Sequence, residues 1–99
     1  MRLTDRQTRI IKQKTVECFG TEATVRLFGS RADDAARGGD IDLYIEVPSH
    51  ADSVFRRSMR LYGVLQIALG LQRIDIVTHV AGQPLARIHQ EARATGIRL

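Results

Sequence analysis

The sequence predicts an α/β (α+β) domain: a small mixed sheet of about three strands packed with helices, in the order α-β-β-α-β-α. Three observations predict it. Short β-branched and apolar runs alternate with polar residues at a period of two. Longer stretches repeat their apolar positions at three and four. Glycine or proline stands at nearly every join between the two kinds of segment. All ninety-nine residues (1–99) read as one domain, long enough for one modest core and without an internal repeat, a linker or a low-complexity tract.

The first helix is capped by Thr4 or Asp5 and runs to about Phe19. Leu3, Ile10, Ile11, Val16 and Phe19 fall roughly at helical spacing, and Gly20 supplies the stop. Strand one follows as Ala23 to Phe28 and ends at Gly29; Arg31 to Gly38 reads as a loop or a short helical turn. Strand two covers about Asp40 to Val47, closed by Pro48, which cannot donate to a ladder. A long helix begins at Ser49 or Asp52 and reaches Leu69, before Gly70. Its expected buried stripe is Val54/Phe55, Met59, Tyr62, Leu65 and Leu69. Strand three is Gln72 to Thr78. Pro84 suits the first turn of a last helix, Pro84 to Thr95, with Gly96 as its stop.

The single cysteine, Cys18, can neither form an internal disulfide nor build a zinc site alone, so it reads as a small core residue and points to a reducing, cytoplasmic setting. No run has the length of a membrane span, and the opening residues lack a signal-peptide core. The net charge of +4 favours phosphate-bearing ligands in general. The arginines are spread along helix faces, Arg56, Arg57 and Arg60 among them, without aromatic interleaving or a DNA-binding motif. Specific nucleic-acid binding is therefore not indicated.

The chemistry is expected between Leu27 and Val47. Strand alternation turns Asp40 and Asp42 to one face and Ile41, Leu43, Ile45 and Val47 to the other. Two carboxylates about 7 Å apart on one strand repel, and a hard divalent cation with oxygen ligands offsets that charge. If strand three lies beside strand two with Ile74 and Ile76 toward the helices, Asp75 joins the same face. Without metal such a cluster would hold a proton, because like charges raise carboxyl pKa values. With two magnesium ions it would suit phosphoryl or nucleotidyl transfer, Asp75 also being placed to accept a proton from an incoming hydroxyl. Upstream, Gly29 lets the backbone approach a phosphate and the Ser30 hydroxyl can donate to one. Each feature alone is commonplace, an exposed strand edge or an ordinary turn; their order and apolar flanks make the case.

Gly29-Ser30 at the end of an apolar strand, a nine-residue gap, then Asp40-Ile41-Asp42-Leu43 resembles the signature of the polymerase-β-like nucleotidyltransferase superfamily. Within it the whole chain is similar to the minimal nucleotidyltransferase (MNT) family, including the closing Ile88 to Gly96. The resemblance implies the nucleotidyltransferase fold, with ATP as substrate. It gives Gly29 and Ser30 to the triphosphate, Arg31 to phosphate neutralisation, Asp40 and Asp42 to both magnesium ions, and Asp75 to the first. One departure is the stretch Ala32-Asp33-Asp34-Ala35-Ala36-Arg37-Gly38, whose two acids would weaken phosphate attraction locally unless Arg37 compensates.

Little of the chain follows strand three, so a second, acceptor-gripping domain is not expected, and the acceptor surface would come from a separate protein. Members of this family resemble antitoxins paired with an all-helical HEPN-type ribonuclease toxin. The resemblance thus implies transfer of AMP to a tyrosine of that toxin. Two alternatives stay open: a non-catalytic antitoxin that neutralises the helical partner by contact, and a small-molecule nucleotidyltransferase. Among other residues, His50 is expected to be exposed and His89 to lack a ligand partner. His79 either lines the pocket or is structural, and Tyr44 and Glu46 serve packing or touch a base or sugar.

Overall fold

A computed structural model describes residues 1–99. Helix α1 spans Asp5–Phe19, strand β1 Thr24–Phe28, a 3-10 turn Gly29–Ala32, strand β2 Ile41–Val47, helix α2 Val54–Leu69, strand β3 Ile74–Val80, helix α3 Arg87–Thr95 and strand β4 Ile97–Arg98. The sheet therefore has four strands, in the order β3-β2-β1-β4, one more than expected. Strand β4 is too short to leave a periodic signature and pairs antiparallel with Arg26 and Leu27 of β1. The β1–β2 pair is antiparallel and the β2–β3 pair parallel.

Helices α1 and α2 cover one face. Ile11 and Cys18 from α1 and Leu61 and Leu65 from α2 close over Val25, Leu27, Ile41, Leu43, Ile45 and Val47, all buried. The β2 alternation thus falls as expected, and it sets which residues are left for the other face. There α3 packs through Ala92 against Phe28 and Tyr44, a second, smaller apolar cluster. Tyr44 is accordingly a packing residue. No helix is long and apolar enough to cross a membrane.

The helix boundaries correct several expectations. Thr4 caps α1 reciprocally, its Oγ1 accepting from the Gln7 N–H at 3.0 Å while Gln7 Oε1 accepts from the Thr4 N–H at 2.9 Å. Helix α2 starts later than Ser49 or Asp52, behind Ser53, which adopts the left-handed conformation (φ 52°) and gives no side-chain cap. Helix α3 starts at Arg87 rather than Pro84, with His89 Nδ1 accepting from the Ala86 N–H at 3.0 Å. Strand β3 is shifted two residues toward the C-terminus of its expected span and ends at Val80.

The stripe expected on α2 holds in part: Val54, Leu65 and Leu69 pack on the core, joined by Leu61, whereas Phe55, Met59 and Tyr62 are exposed. Both sets recur at helical spacing, so periodicity alone could not choose between them. Arg57 also leaves the solvated face. It donates from Nη1 to the Cys18 carbonyl at 2.9 Å and from Nη2 to Asp52 at 3.1 Å, tying the start of α2 to the end of α1.

Candidate functional site

The face of the sheet opposite the main core carries, along β2, Asp42, Tyr44 and Glu46, with Asp40 just before the strand. Parallel pairing sets Asp42 opposite Asp75 and Glu46 opposite His79. Ile74 is buried on the α1/α2 side, which directs Asp75 to the Asp42 face as expected. Two carboxylates therefore stand side by side at the beginning of two neighbouring strands. Burial, then the charge and hydrogen bonding of Asp75, then the charge of Asp40, push the Asp42 carboxyl above its ordinary range.

Beside this pair the chain leaves β1 through Gly29 (φ 72°), and any side chain there would collide with Asp42 Oδ2. Both the left-handed backbone and this close approach require glycine. The next residue, Ser30, is held in the same way: a Cβ on Gly38 (φ 144°) would lie 2.6 Å from Ser30 Oγ. Gly29 thus adjoins Asp42, while Ser30 lies against Gly38 in the loop that precedes Asp40.

Two arginines close the loop between Ser30 and Gly39. Arg2 donates to the carbonyls of Ser30 and Gly38, each at 3.0 Å. Arg31 donates to Gly39 at 2.9 Å and to the Arg2 carbonyl at 3.1 Å. Arg31 is thus engaged with loop carbonyls; turning to a phosphate would require it to release Gly39. Arg2, which precedes α1, thus has a loop-bracing role that no local pattern announced. Asp33 accepts from the Ala35 N–H at 2.9 Å, and Asp34 pairs with the N-terminal ammonium, which holds its carboxyl below the ordinary range. Of the two acids of the departing stretch, Asp33 is therefore occupied within the loop and Asp34 by the amino group of Met1.

Asp40 is half-exposed and lies 4.0 Å from Arg73 Nε, a surface contact. As the side chains stand, no three Asp, Glu, His or Cys groups come together closely enough to hold a metal ion. The donor set still suits a hard cation: Asp42 and Asp75 present only oxygens, share an excess of negative charge, and face a glycine where any side chain would fill the space. Asp40 is near enough for its charge to be felt at Asp42, but its carboxylate stands by the exposed Arg73 rather than with the pair.

Further along the same face is a polar network that the sequence did not reveal. Tyr44 donates to Glu46 Oε1 at 2.5 Å, and His79, buried, meets Glu46 Oε2 through Nδ1 at 2.8 Å and the Gln83 carbonyl through Nε2 at 2.9 Å. His89 donates from Nε2 to the Thr78 carbonyl at 3.0 Å, and its ring lies 4.9 Å from that of His79. These histidines fasten α3 and the loop before it to β3. Burial, with the Glu46 hydrogen bond behind it, pushes the Tyr44 hydroxyl up to about 12, so it stays a donor. Exposed His50 pairs with Glu22 at 2.8 Å beside a cavity of about 570 Å³, which lies past the opposite end of β2 around Pro48. The carboxylate pair by contrast occupies an open shelf. In comparisons with known proteins, no family model, no curated protein and no solved structure matches this chain.

Proposed function

We propose that the protein is a magnesium-dependent nucleotidyltransferase that moves AMP from ATP to a tyrosine hydroxyl of a separate, all-helical HEPN-type toxin, and so acts as its antitoxin. The observation that carries this reading is the pairing of Asp42 with Asp75 across β2 and β3 beside Gly29. Two such carboxylates, one with its pKa raised, are costly to fold together unless they serve a cation or a proton.

Asp40, Asp42 and Asp75 would hold the metal, which supplies neutralisation of the triphosphate and of the departing pyrophosphate. Gly29 keeps the backbone beside Asp42 narrow enough for a phosphate to approach, and the Ser30 hydroxyl is available to donate to it. The tyrosyl oxygen attacks the α-phosphorus in line. A new P–O bond forms as the bond from the α-phosphorus to the bridging oxygen of pyrophosphate breaks, and the hydroxyl proton passes to Asp75.

A second reading has its own support. Asp40 facing Arg73 leaves the acidic trio open, which suits a protein that silences its partner by contact alone. Labelled ATP, magnesium and a purified all-helical HEPN-type candidate partner distinguish the two. Label on the partner that vanishes with Asp42→Asn supports transfer. A tight complex that is indifferent to that substitution and never labelled overturns it in favour of contact. Labelling of a small alcohol without any protein partner would favour a small-molecule enzyme instead.

A further inference from the structure

From Ser53 to Ile74 the chain contains no carboxylate, yet it has four arginines. Arg57 is tied to α1 and Arg73 lies by Asp40, which leaves Arg56 and Arg60 exposed on α2. Beside them runs the unburied row of Phe55 (78% exposed), Met59 and Tyr62, continued by Ile67 (86%) and by Leu71 (96%) just past the helix. Large apolar side chains left in water in one contiguous set mark a binding surface. Methionine, aromatics and arginine are also the residues that protein interfaces favour.

We infer that the outer face of α2 is the seat of a helix from a separate protein, apolar along its contact side and bordered by Asp or Glu. Two observations choose that occupant. Arg56 and Arg60 are one turn apart on the flank of the apolar row and neither forms an ion pair within this chain, so complementarity asks for carboxylates from outside. A second copy packed through the same face would bring arginines against arginines. Between Met59 and Ile67 the helix presents Gly63, around which a Cβ would meet nothing within 4 Å. A glycine at mid-helix is unfavourable by itself but lets another backbone come close. Lipid gains nothing from such a notch; a crossing helix does.

This seat deepens the proposed function by giving the helical partner a place. The C-terminal end of α2 is held to the start of β3 by Gln66, which bonds the Gln72 backbone at 2.5 and 3.1 Å, and the Ile41 N–H donates to the Arg73 carbonyl at 2.9 Å. The C-terminal end of α2 therefore lies at the end of the sheet from which β2 and β3 start, on the face away from Asp42 and Asp75.

The test places a benzophenone amino acid at Met59 of the full chain, and at exposed Arg37 as control, in the native host. Adducts specific to Met59 should map to an acid-bordered helix of another protein. That protein, purified, should bind the wild-type chain and lose about tenfold or more in affinity with Gly63→Leu or Arg60→Glu. A Glu→Arg change in the partner should restore binding to Arg60→Glu. Adducts with a second copy of this chain, equal labelling from both positions, or no protein adduct overturn the inference. So does binding to phosphatidylcholine–phosphatidylglycerol vesicles that the same substitutions abolish. Asp42→Asn should leave the adduct intact, so loss of transfer with docking retained counts against the catalytic reading alone. Retained transfer without docking counts against the seat alone.

Discussion

His79 Nδ1 lies 2.8 Å from Glu46 Oε2 while Nε2 of the same buried ring lies 2.9 Å from the Gln83 carbonyl, so both ring nitrogens face acceptors. Only the imidazolium donates in both directions. The Glu46 hydrogen bond raises the His79 pKa above 6.5 against the opposing effect of burial. Burial pushes Glu46 up, but the hydrogen bonds from Tyr44 and His79 outweigh it and hold the carboxyl below its usual range. The pair closes β2, β3 and the approach to α3 into one unit.

Stability should therefore fall as pH rises through the raised His79 pKa. Below 6.5 both folded and unfolded histidine are protonated and the contribution is complete. Above it the unfolded chain releases the proton first, so the native state binds more protons and loses stability with each step up. Urea denaturation from pH 6 to 9 measures the slope. His79→Gln should flatten it and cost about 1–3 kcal/mol at pH 6 by leaving Glu46 short of a donor. An unchanged slope in the variant would assign the pH dependence elsewhere.

Gly29→Ala should damage both fold and site. The left-handed backbone alone disfavours alanine by about 1 kcal/mol or more, and the added methyl displaces the Asp42 carboxylate. The melting temperature should drop by several degrees, and transfer should be lost even where the variant stays folded at 20 °C. Gly20→Ala, also at positive φ but with nothing within 4 Å, separates the two effects: it should cost stability without touching transfer.

Asp42→Asn should have opposite effects on stability and on activity. The Asp42 pKa is raised by burial and by Asp75, so its contribution is complete below 3.8 and is lost as pH rises through the raised value. At pH 7 an amide that donates to Asp75 should stabilise the metal-free protein by about 0.5–2 kcal/mol. Transfer should fall about 10²-fold or more. Millimolar magnesium should raise the melting temperature of the wild-type chain and leave that of the variant unchanged, since only a bound cation shifts the folding equilibrium. Equal response of the two proteins would remove Asp42 from any metal site.

The positions of Asp42 and Asp75 were legible because strand alternation fixes direction once the apolar partners are known, and Ile41, Leu43, Ile45 and Ile74 leave no other choice. What stayed illegible depends on contacts distant in sequence. Ile97 and Arg98 form a strand only because Arg26 and Leu27 offer an edge. His79 and His89 meet only after α3 has docked. On α2, Phe55, Met59 and Tyr62 are as apolar as Leu61 and Leu65, and hydropathy records that a face avoids water without recording whether this chain or another covers it.

Arg2 provides the last test, because it joins the N-terminal segment to the loop from Ser30 to Gly39. Its Nη1 and Nη2 hold the Gly38 and Ser30 carbonyls, and its backbone N–H donates to the Arg31 carbonyl at 2.8 Å. A lysine has one donor head where the guanidinium spans two carbonyls, so Arg2→Lys should fail almost as fully as Arg2→Ala. Each should cost about 1–3 kcal/mol and speed amide exchange over residues 30–39, while the strands keep their protection. In the transfer assay the loss should fall on the KM for ATP rather than on kcat, because Arg2 holds the loop around Ser30 and is not itself placed against the carboxylates. Unchanged exchange over 30–39 would mean that Arg31 and the glycine turns hold the loop without it.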